Sequence, residues 1–271
     1  MTAKPRKGYV DAPTGQVHYR MLGEGVPLLL LHQSPNSSLM FSRAMPFLAA
    51  RGLRAIAIDT PGYGNSDVPD ERPSIETYAS VIPAVLDAFG LDRSALLGHH
   101  TGAAIACEFA VCHPERVTTL ILNGPPLYTD EEREARLARA PAGPLPLQPD
   151  GSHLLQRWQR RIAASPGWTD LEAMHRGVVQ TLIAGEYDWY GHRAAFEYRM
   201  LPRFLALTVP TLILTNTGED LYHHSCRARD LRPDFAFFAL EGGTHDIVDE
   251  QPENWANVVA DFVLGEGRWA R

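Results

Sequence analysis

The chain has 271 residues, of which 45% are hydrophobic and 21% charged, and its formal net charge is −7. This composition is typical of a globular domain, and the lack of a basic run argues against nucleic acid as a partner. No apolar run approaches the roughly 18 residues of a transmembrane helix. The basic segment Met1 to Lys7 lacks a following apolar stretch, and the cysteine count of three is odd. We therefore expect a cytoplasmic protein with reduced thiols and no membrane partner.

Apolar strands alternate with helices through the first part of the chain. We predict strands at 16–21, 27–32, 54–59, 94–98 and 117–122, and helices at 41–50, 75–89 and 103–112. Strands that alternate with helices pair as βαβ units. The sequence therefore predicts an α/β fold with a mostly parallel central sheet flanked by helices.

The pattern changes between residues 125 and 207. This stretch has Pro-rich breaks at 141–149 and at Pro166-Gly167, and no buried strand is evident in it. Amphipathic, Arg-rich helical segments lie at 131–139 and 154–163. Strands at 211–215 and 235–240 and a helix at 254–264 then restore the earlier pattern. We predict a core domain formed by 1–124 and 208–271, with a helical lid inserted at 125–207.

A sharp strand-to-helix turn is predicted at Gly98-His99-His100-Thr101-Gly102. The segment follows a buried strand and precedes an Ala-rich helix. In a G-x-S-x-G nucleophile elbow, the residues two before and two after the nucleophile are small because strand and helix approach closely. The two glycines meet this demand, and His100 stands where the nucleophile is expected.

Four further segments support this interpretation by their sequence motifs and by their order along the chain. They are Leu28 to Pro35, Ile58 to Asp67, Val209 to Asp220, and Gly242 to Glu253. They resemble the oxyanion loop, the D-x-x-G-x-G-x-S-D turn, the acid loop and the histidine loop of the α/β-hydrolase fold superfamily. The chain is thus identified as an atypical member, with histidine at the nucleophile position and Gln33 in place of the usual glycine.

The resemblance implies roles for the remaining site residues. His245 is expected as general acid and base, and Asp220 as the acid that orients it, with Glu219 as the alternative because the acid loop is spaced differently. Backbone N–H groups of Ser34 and Thr101 are expected to form the oxyanion hole. A change at Gln33 leaves such backbone donors in place.

Three hypotheses remain open for His100. It is a nucleophile that forms a labile acyl-imidazole, a general base that activates water while His245 protonates the leaving group, or a binding residue in a site without serine chemistry. The neighbouring Thr101 lies one step too far along the elbow to replace it.

Substrate contacts are expected around the elbow and in the lid. The candidates are His32, Gln33, His99, Tyr187 and Trp189. The many aromatic residues of the lid favour an aromatic small-molecule substrate, although packing of the lid explains most of them. We predict no metal and no cofactor, since adjacent histidines such as His99 and His100 rarely face one ion and no H-E-x-x-H segment occurs.

The sequence thus predicts a small-molecule hydrolase of an ester, a lactone or an activated C–C bond. One alternative is a proton-transfer lyase or decarboxylase on the same scaffold, working without an acyl-enzyme. A second is a non-catalytic, ligand-binding relic of the fold. A homodimer is left open.

Overall fold

The computed structural model describes residues 4–266, and within them eight strands form one sheet. In chain order these are β1 (Arg6–Ala12), β2 (Gly15–Leu22), β3 (Val26–Leu31), β4 (Leu53–Ile58), β5 (Ser94–His99), β6 (Val117–Asn123), β7 (Thr211–Asn216) and β8 (Ala236–Leu240). Across the sheet the order is β1-β2-β4-β3-β5-β6-β7-β8. The β1–β2 and β2–β4 pairs are antiparallel, and all other pairs are parallel. The predicted fold class is confirmed.

Helices connect and cover the strands. They are α1 (Met45–Ala50), α2 (Ile75–Ala79), α3 (Ile82–Ala88), α4 (Thr101–Cys112), α5 (Asp130–Arg139), α6 (Ser152–Ala164), α7 (Leu171–Ala184), α8 (Tyr190–Glu197), α9 (Met200–Leu205), α10 (Tyr222–Leu231), α11 (Ile247–Glu250) and α12 (Pro252–Val263). No helix within the described residues is long and apolar enough to cross a membrane.

Two local elements differ from the sequence prediction. The single helix predicted at 75–89 is two helices, α2 and α3, and Pro83 lies in the first turn of α3. Proline fits there because the first helical N–H groups have no intrahelical acceptor. The edge strand β1 was not predicted. It has a single buried residue, Val10, so it carries no apolar pattern.

The core consists of two layers, one on each face of the sheet. Strand β3 shows the arrangement, because its residues 28–31 are all fully buried. Leu29 and Leu31 belong to the layer that contains α2, α3 and α4, whereas Leu28 and Leu30 belong to the layer that contains α1 and α12. Burial on both faces explains why this strand has a continuous apolar sequence rather than an alternating one.

The segment between β6 and β7 contains α5 to α9 and, within the described residues, no strand. We call this segment the helical insertion. Two of its helices, α5 and α6, agree with the amphipathic stretches predicted from the sequence, while the lid bounds 125–207 remain a prediction. The predicted core ranges, 1–124 and 208–271, extend at 1–3 and 267–271 outside the described residues.

The turn between β5 and α4 depends on close backbone contact. A Cβ atom built on Gly98 would lie 2.0 Å from the Gly102 carbonyl oxygen, and one built on Gly102 would lie 2.2 Å from the Leu31 carbonyl oxygen. Both obstacles are backbone atoms, so a side chain at either position would force strand and helix apart. The steric argument from the sequence therefore holds in the structure.

We expect Gly102→Ala to lower the free energy of unfolding by about 1–3 kcal/mol, the usual cost of overpacking. Urea denaturation measures this difference. The control is Gly143→Ala, where an added Cβ meets nothing within 4 Å, and it should change stability by less than about 0.5 kcal/mol. Equal stability of the two variants would contradict the steric role of Gly102.

Candidate active site

His100 occupies the turn between β5 and α4. Its φ of 49° and ψ of −108° make it the single non-glycine residue with positive φ in the described part of the chain. Such a conformation is strained, and it persists only where the surroundings impose it. It directs the imidazole to the edge of the sheet where the parallel strands end, against a large cavity. This is the geometry of a nucleophile elbow.

The imidazole of His100 is bonded to Glu219, in the loop after β7. Its Nε2–H donates to Glu219 Oε2 at 2.6 Å, and the Thr215 hydroxyl donates to Oε1 at 2.5 Å. The Glu219 side chain is fully buried. Gly124 leaves space for the pair, because a Cβ there would lie 2.6 Å from His100 Nε2 and 2.7 Å from Glu219 Oε2.

Each partner shifts the pKa of the other. Burial lowers the pKa of His100, but the hydrogen bond and charge of Glu219, with smaller contributions from Asp220 and Asp246, outweigh it and the net pKa is raised. Burial raises the pKa of Glu219, but bonding to His100 and Thr215 outweighs it and the net pKa is lowered. The carboxylate is therefore ionised near neutrality, and it holds the Nε2 proton of the imidazole. His100 Nδ1, which has no hydrogen-bond partner among the described residues, is left to exchange protons.

The structure does not bring His99 or His32 to the cavity wall. The His99 ring stacks on His100 with centroids 4.2 Å apart, and its Nε2–H donates to the His245 carbonyl oxygen at 3.0 Å. Burial and the His100 charge lower the pKa of His99 to about 3. In His32, Nδ1–H donates to the Gln33 carbonyl and Nε2 accepts from the Thr60 N–H. Both residues bond to the protein itself, and the substrate-binding role expected for them stays a prediction.

The expected Asp220–His245 hydrogen bond is absent from the described contacts. Asp220 is exposed, whereas the adjacent Glu219 turns inward to His100. The difference arises because Glu219 is the residue within reach of the Thr215 hydroxyl at the end of β7. Glu219, the sequence alternative, thus contacts the elbow histidine rather than His245. Its role as the orienting acid stays a prediction.

His245 is held by the helical insertion. Arg161 of α6 donates from Nη1 to His245 Nε2 at 2.9 Å and pairs through Nη2 with Asp246 Oδ2 at 2.6 Å. Arginine is always a donor, so Nε2 of His245 accepts and the neutral ring carries its proton on Nδ1. Burial, Arg161 and the His100 charge lower the pKa of His245, against the raising effect of Asp246.

Both residues of the expected oxyanion hole lie on the cavity wall. Ser34 follows β3, and Thr101 is the first residue of α4. The first N–H groups of a helix have no intrahelical acceptor, so the Thr101 N–H is available to an anionic oxygen. Their roles as donors remain a prediction.

The cavity has a volume of about 1030 Å³ and lies between the strand ends and the helical insertion. Of the expected substrate-binding residues, Gln33 and Trp189 line it. Tyr187 does not, and packs instead on the Tyr190 ring at 5.4 Å between centroids. His192 and four arginines also line the wall, although none of them was predicted as a site residue from the sequence: Arg136, Arg157, Arg160 and Arg161. The Arg-rich helical stretches were the available signal, but helical periodicity does not show which side faces a cavity.

One group of potential metal ligands occurs in the described part of the chain, away from His100. Ligand atoms of Glu132, His223 and His224 lie within 4.8 Å of one another. However, Arg227 donates to both carboxylate oxygens of Glu132, at 2.7 and 2.8 Å. A guanidinium in this position opposes a bound cation.

A profile of the alpha/beta hydrolase fold family matches residues 26–172. The chain belongs to this family. It is 39% identical over 127 residues to 2-hydroxy-6-oxononadienedioate/2-hydroxy-6-oxononatrienedioate hydrolase 2 of Pseudomonas putida, covering 45% of this chain and 43% of that protein. It is 36% identical over 115 residues to 2-hydroxy-6-oxo-6-phenylhexa-2,4-dienoate hydrolase of Comamonas testosteroni, covering 40% of each. These matches thus span less than half of either relative. An esterase from Exiguobacterium antarcticum shares the fold, with a TM-score of 0.78 at 20% identity over 96% of this chain and 100% of the esterase.

We expect Glu219→Gln to lower the pKa of His100, because the ionised carboxylate is the largest influence that raises it. NMR titration of the imidazole signals measures the change. Asp220→Asn is the matched control from the neighbouring position; it should lower the pKa less, since Asp220 acts through charge alone and is exposed. A larger shift in Asp220→Asn would contradict the assignment of Glu219 as partner.

Proposed function

We propose that this protein hydrolyses a small-molecule ester, lactone or activated C–C bond, with His100 as the general base. The observation that carries the proposal is the imidazole at the elbow, bonded through Nε2 to a buried, ionised Glu219 and lining a large cavity. A histidine held in one tautomer by a carboxylate is the proton-transfer half of a Ser-His-Asp triad. In this chain, the corresponding histidine–carboxylate pair is formed by the elbow residue His100 and Glu219.

Proton transfer fits the ring geometry better than covalent attack does. Since Nε2 is bonded to Glu219, the free nitrogen is Nδ1, which is bonded to the ring carbon that carries Cβ. Acylation at Nδ1 would crowd the new acyl group against the backbone of a tight turn, whereas a proton needs little space. We therefore favour the general-base hypothesis for His100 over the nucleophile hypothesis.

The proposed reaction begins with a water molecule beside His100 Nδ1. The water oxygen bonds to the substrate carbonyl carbon as its proton passes to Nδ1, and Glu219 stabilises the imidazolium. Backbone N–H groups of Ser34 and Thr101 would stabilise the resulting oxyanion. The Nδ1 proton then passes to the departing alkoxide or carbanion, which restores neutral His100. His245 could supply this proton only from Nδ1, because its Nε2 accepts from Arg161 and carries no proton.

The relatives support hydrolysis as the reaction type. The Pseudomonas putida and Comamonas testosteroni proteins are named as hydrolases of small oxo-acids, and the second acts on a phenyl-bearing compound. In this chain, Trp189, Phe196 and Tyr128 supply aromatic surface to the cavity. An aromatic substrate is consistent with these walls, because stacked rings lose water together.

A proton-transfer lyase is the second candidate, because Nδ1 of His100 with its raised pKa is equally suited to take a proton from carbon. Turnover in H₂¹⁸O separates the two reactions by mass spectrometry of the product. A hydrolase places one ¹⁸O in the acid product, whereas a lyase that adds no water places none.

We expect His100→Ala to reduce kcat/KM on a panel of aryl esters by on the order of 10²–10⁴-fold, the usual contribution of a general base. Release of the phenol, followed by absorbance, measures the rate. His113→Ala, just past the opposite end of α4, is the control and should retain the wild-type rate. Unchanged hydrolysis by His100→Ala would overturn the proposal.

The pH dependence of the rate tests the same residue independently. A base must be unprotonated, so kcat/KM should rise with pH through the pKa of His100, which lies above its ordinary value near 6.5. In Glu219→Gln this rising limb should move to lower pH, and the plateau should fall as the imidazolium loses its partner. If the rising part of the pH–rate profile does not move in Glu219→Gln, the profile reports the titration of another group.

A further inference from the structure

Arg136 of α5 lies on the cavity wall and has no acidic partner in the part of the chain that the structure describes. Other arginines of the same wall are paired: Arg157 with Asp188, and Arg161 with Asp246. Within residues 4–266, no carboxylate lies within 4.0 Å of the Arg136 guanidinium. A half-buried cation without a counter-ion calls for a ligand of opposite charge.

The obvious partner of Arg136 is already engaged. Glu132 precedes it by four residues, the best spacing for an ion pair along a helix. Both Glu132 oxygens instead accept from Arg227 of α10, and one of them also accepts from the Thr129 N–H. Arg133, on the same helix, does have an acidic neighbour in Asp130. Arg136 therefore forms no ion pair with Glu132, because Arg227 binds both oxygens of that carboxylate.

Aromatic rings hold the guanidinium of Arg136. Its central carbon lies 4.4 Å from the centroid of the Tyr128 ring and 5.9 Å from that of Phe196. All three residues line the cavity. Cation–π contact orients a guanidinium without using its N–H groups. The N–H groups therefore stay available for two parallel hydrogen bonds to a carboxylate.

Two of the four arginines on the wall have no ion-pair partner within residues 4–266. Four arginines face three acidic residues there. Arg157 and Arg161 are neutralised by Asp188 and Asp246, and Glu219 is bonded to His100. Arg136 and Arg160 then remain against Asp220 alone. The two unpaired guanidinium groups favour an anionic ligand such as a carboxylate at this part of the wall.

We propose that Arg136 binds a carboxylate group of the substrate, so that the protein acts on acids whose scissile carbonyl reaches His100 while the carboxylate pairs with Arg136. This inference rests on the proposed hydrolase function. Arg160, which is exposed on the same wall, attracts the anion by its charge. The apolar part of the substrate then lies between His100 and Arg136 and packs against Phe196 and Trp189.

Two rigid aryl esters test the proposal. 4-Nitrophenyl 4-carboxybenzoate carries the anion, and 4-nitrophenyl 4-carbamoylbenzoate is its neutral counterpart of similar size. We expect wild-type kcat/KM to favour the carboxylate ester by about tenfold or more, since hydrogen bonds to charged groups contribute that much. Arg136→Gln should remove most of the preference, because it raises KM for the anionic ester much more than KM for the neutral ester.

The control is Arg139→Gln, one turn further along α5 and outside the wall, which should keep the wild-type preference. A wild-type enzyme without preference, or an Arg136→Gln variant that slows both esters equally, would overturn the carboxylate assignment while leaving hydrolysis intact. If neither ester is hydrolysed, the proposed function fails, and calorimetric titration with benzoate and benzamide decides the inference alone. Benzoate binding that is weakened about tenfold in Arg136→Gln would support it; equal binding of benzoate and benzamide would overturn it.

Discussion

The close contact between β5 and α4 is the constraint on which the rest of the site depends. Gly98 and Gly102 let the two elements approach until a single added carbon would lie 2.0 Å from a carbonyl oxygen. The chain can make this turn only by forcing one residue, His100, into positive φ. The strained residue is thereby fixed at the edge of the sheet where the loops after β6, β7 and β8 also end. Loops from distant parts of the chain can then act on one imidazole.

The pairing of His100 with Glu219 changes which residue the acid loop contacts. In a Ser-His-Asp triad the histidine lies between nucleophile and acid, and the acid fixes its tautomer. In this chain the elbow itself carries the histidine, so the acid loop contacts the elbow directly. Gly124 provides the volume that an imidazole needs and a serine does not. His245 is thereby freed from the acid and is held by Arg161 instead, which links it to the helical insertion.

Polar contacts join the helical insertion to the core at several points. Gln180 of α7 accepts from both the N–H and the hydroxyl of Ser37, and Arg43 pairs with Asp170. With the Arg161–Asp246 pair, these contacts set the position of the insertion over the strand ends. The cavity wall is therefore built jointly, and the arginines that line it all belong to the insertion. In the proposed function, the core positions the imidazole of His100, and the insertion selects the molecules that reach it.

The sequence by itself determined the alternation of strands and helices, the elbow and the order of the loops around it. These features follow from local periodicity and from the steric need for small residues, both of which can be read along the chain. It did not reveal β1, since a single buried residue makes no pattern, or that Glu219 rather than Asp220 turns inward, since loop residues lack a fixed period. Only the tertiary structure decided which acid contacts which histidine, and that His99 and His32 bond to the protein. It also decided that Arg136 has no ion-pair partner among residues 4–266. Each of these depends on side chains from segments far apart in sequence competing for the same partner.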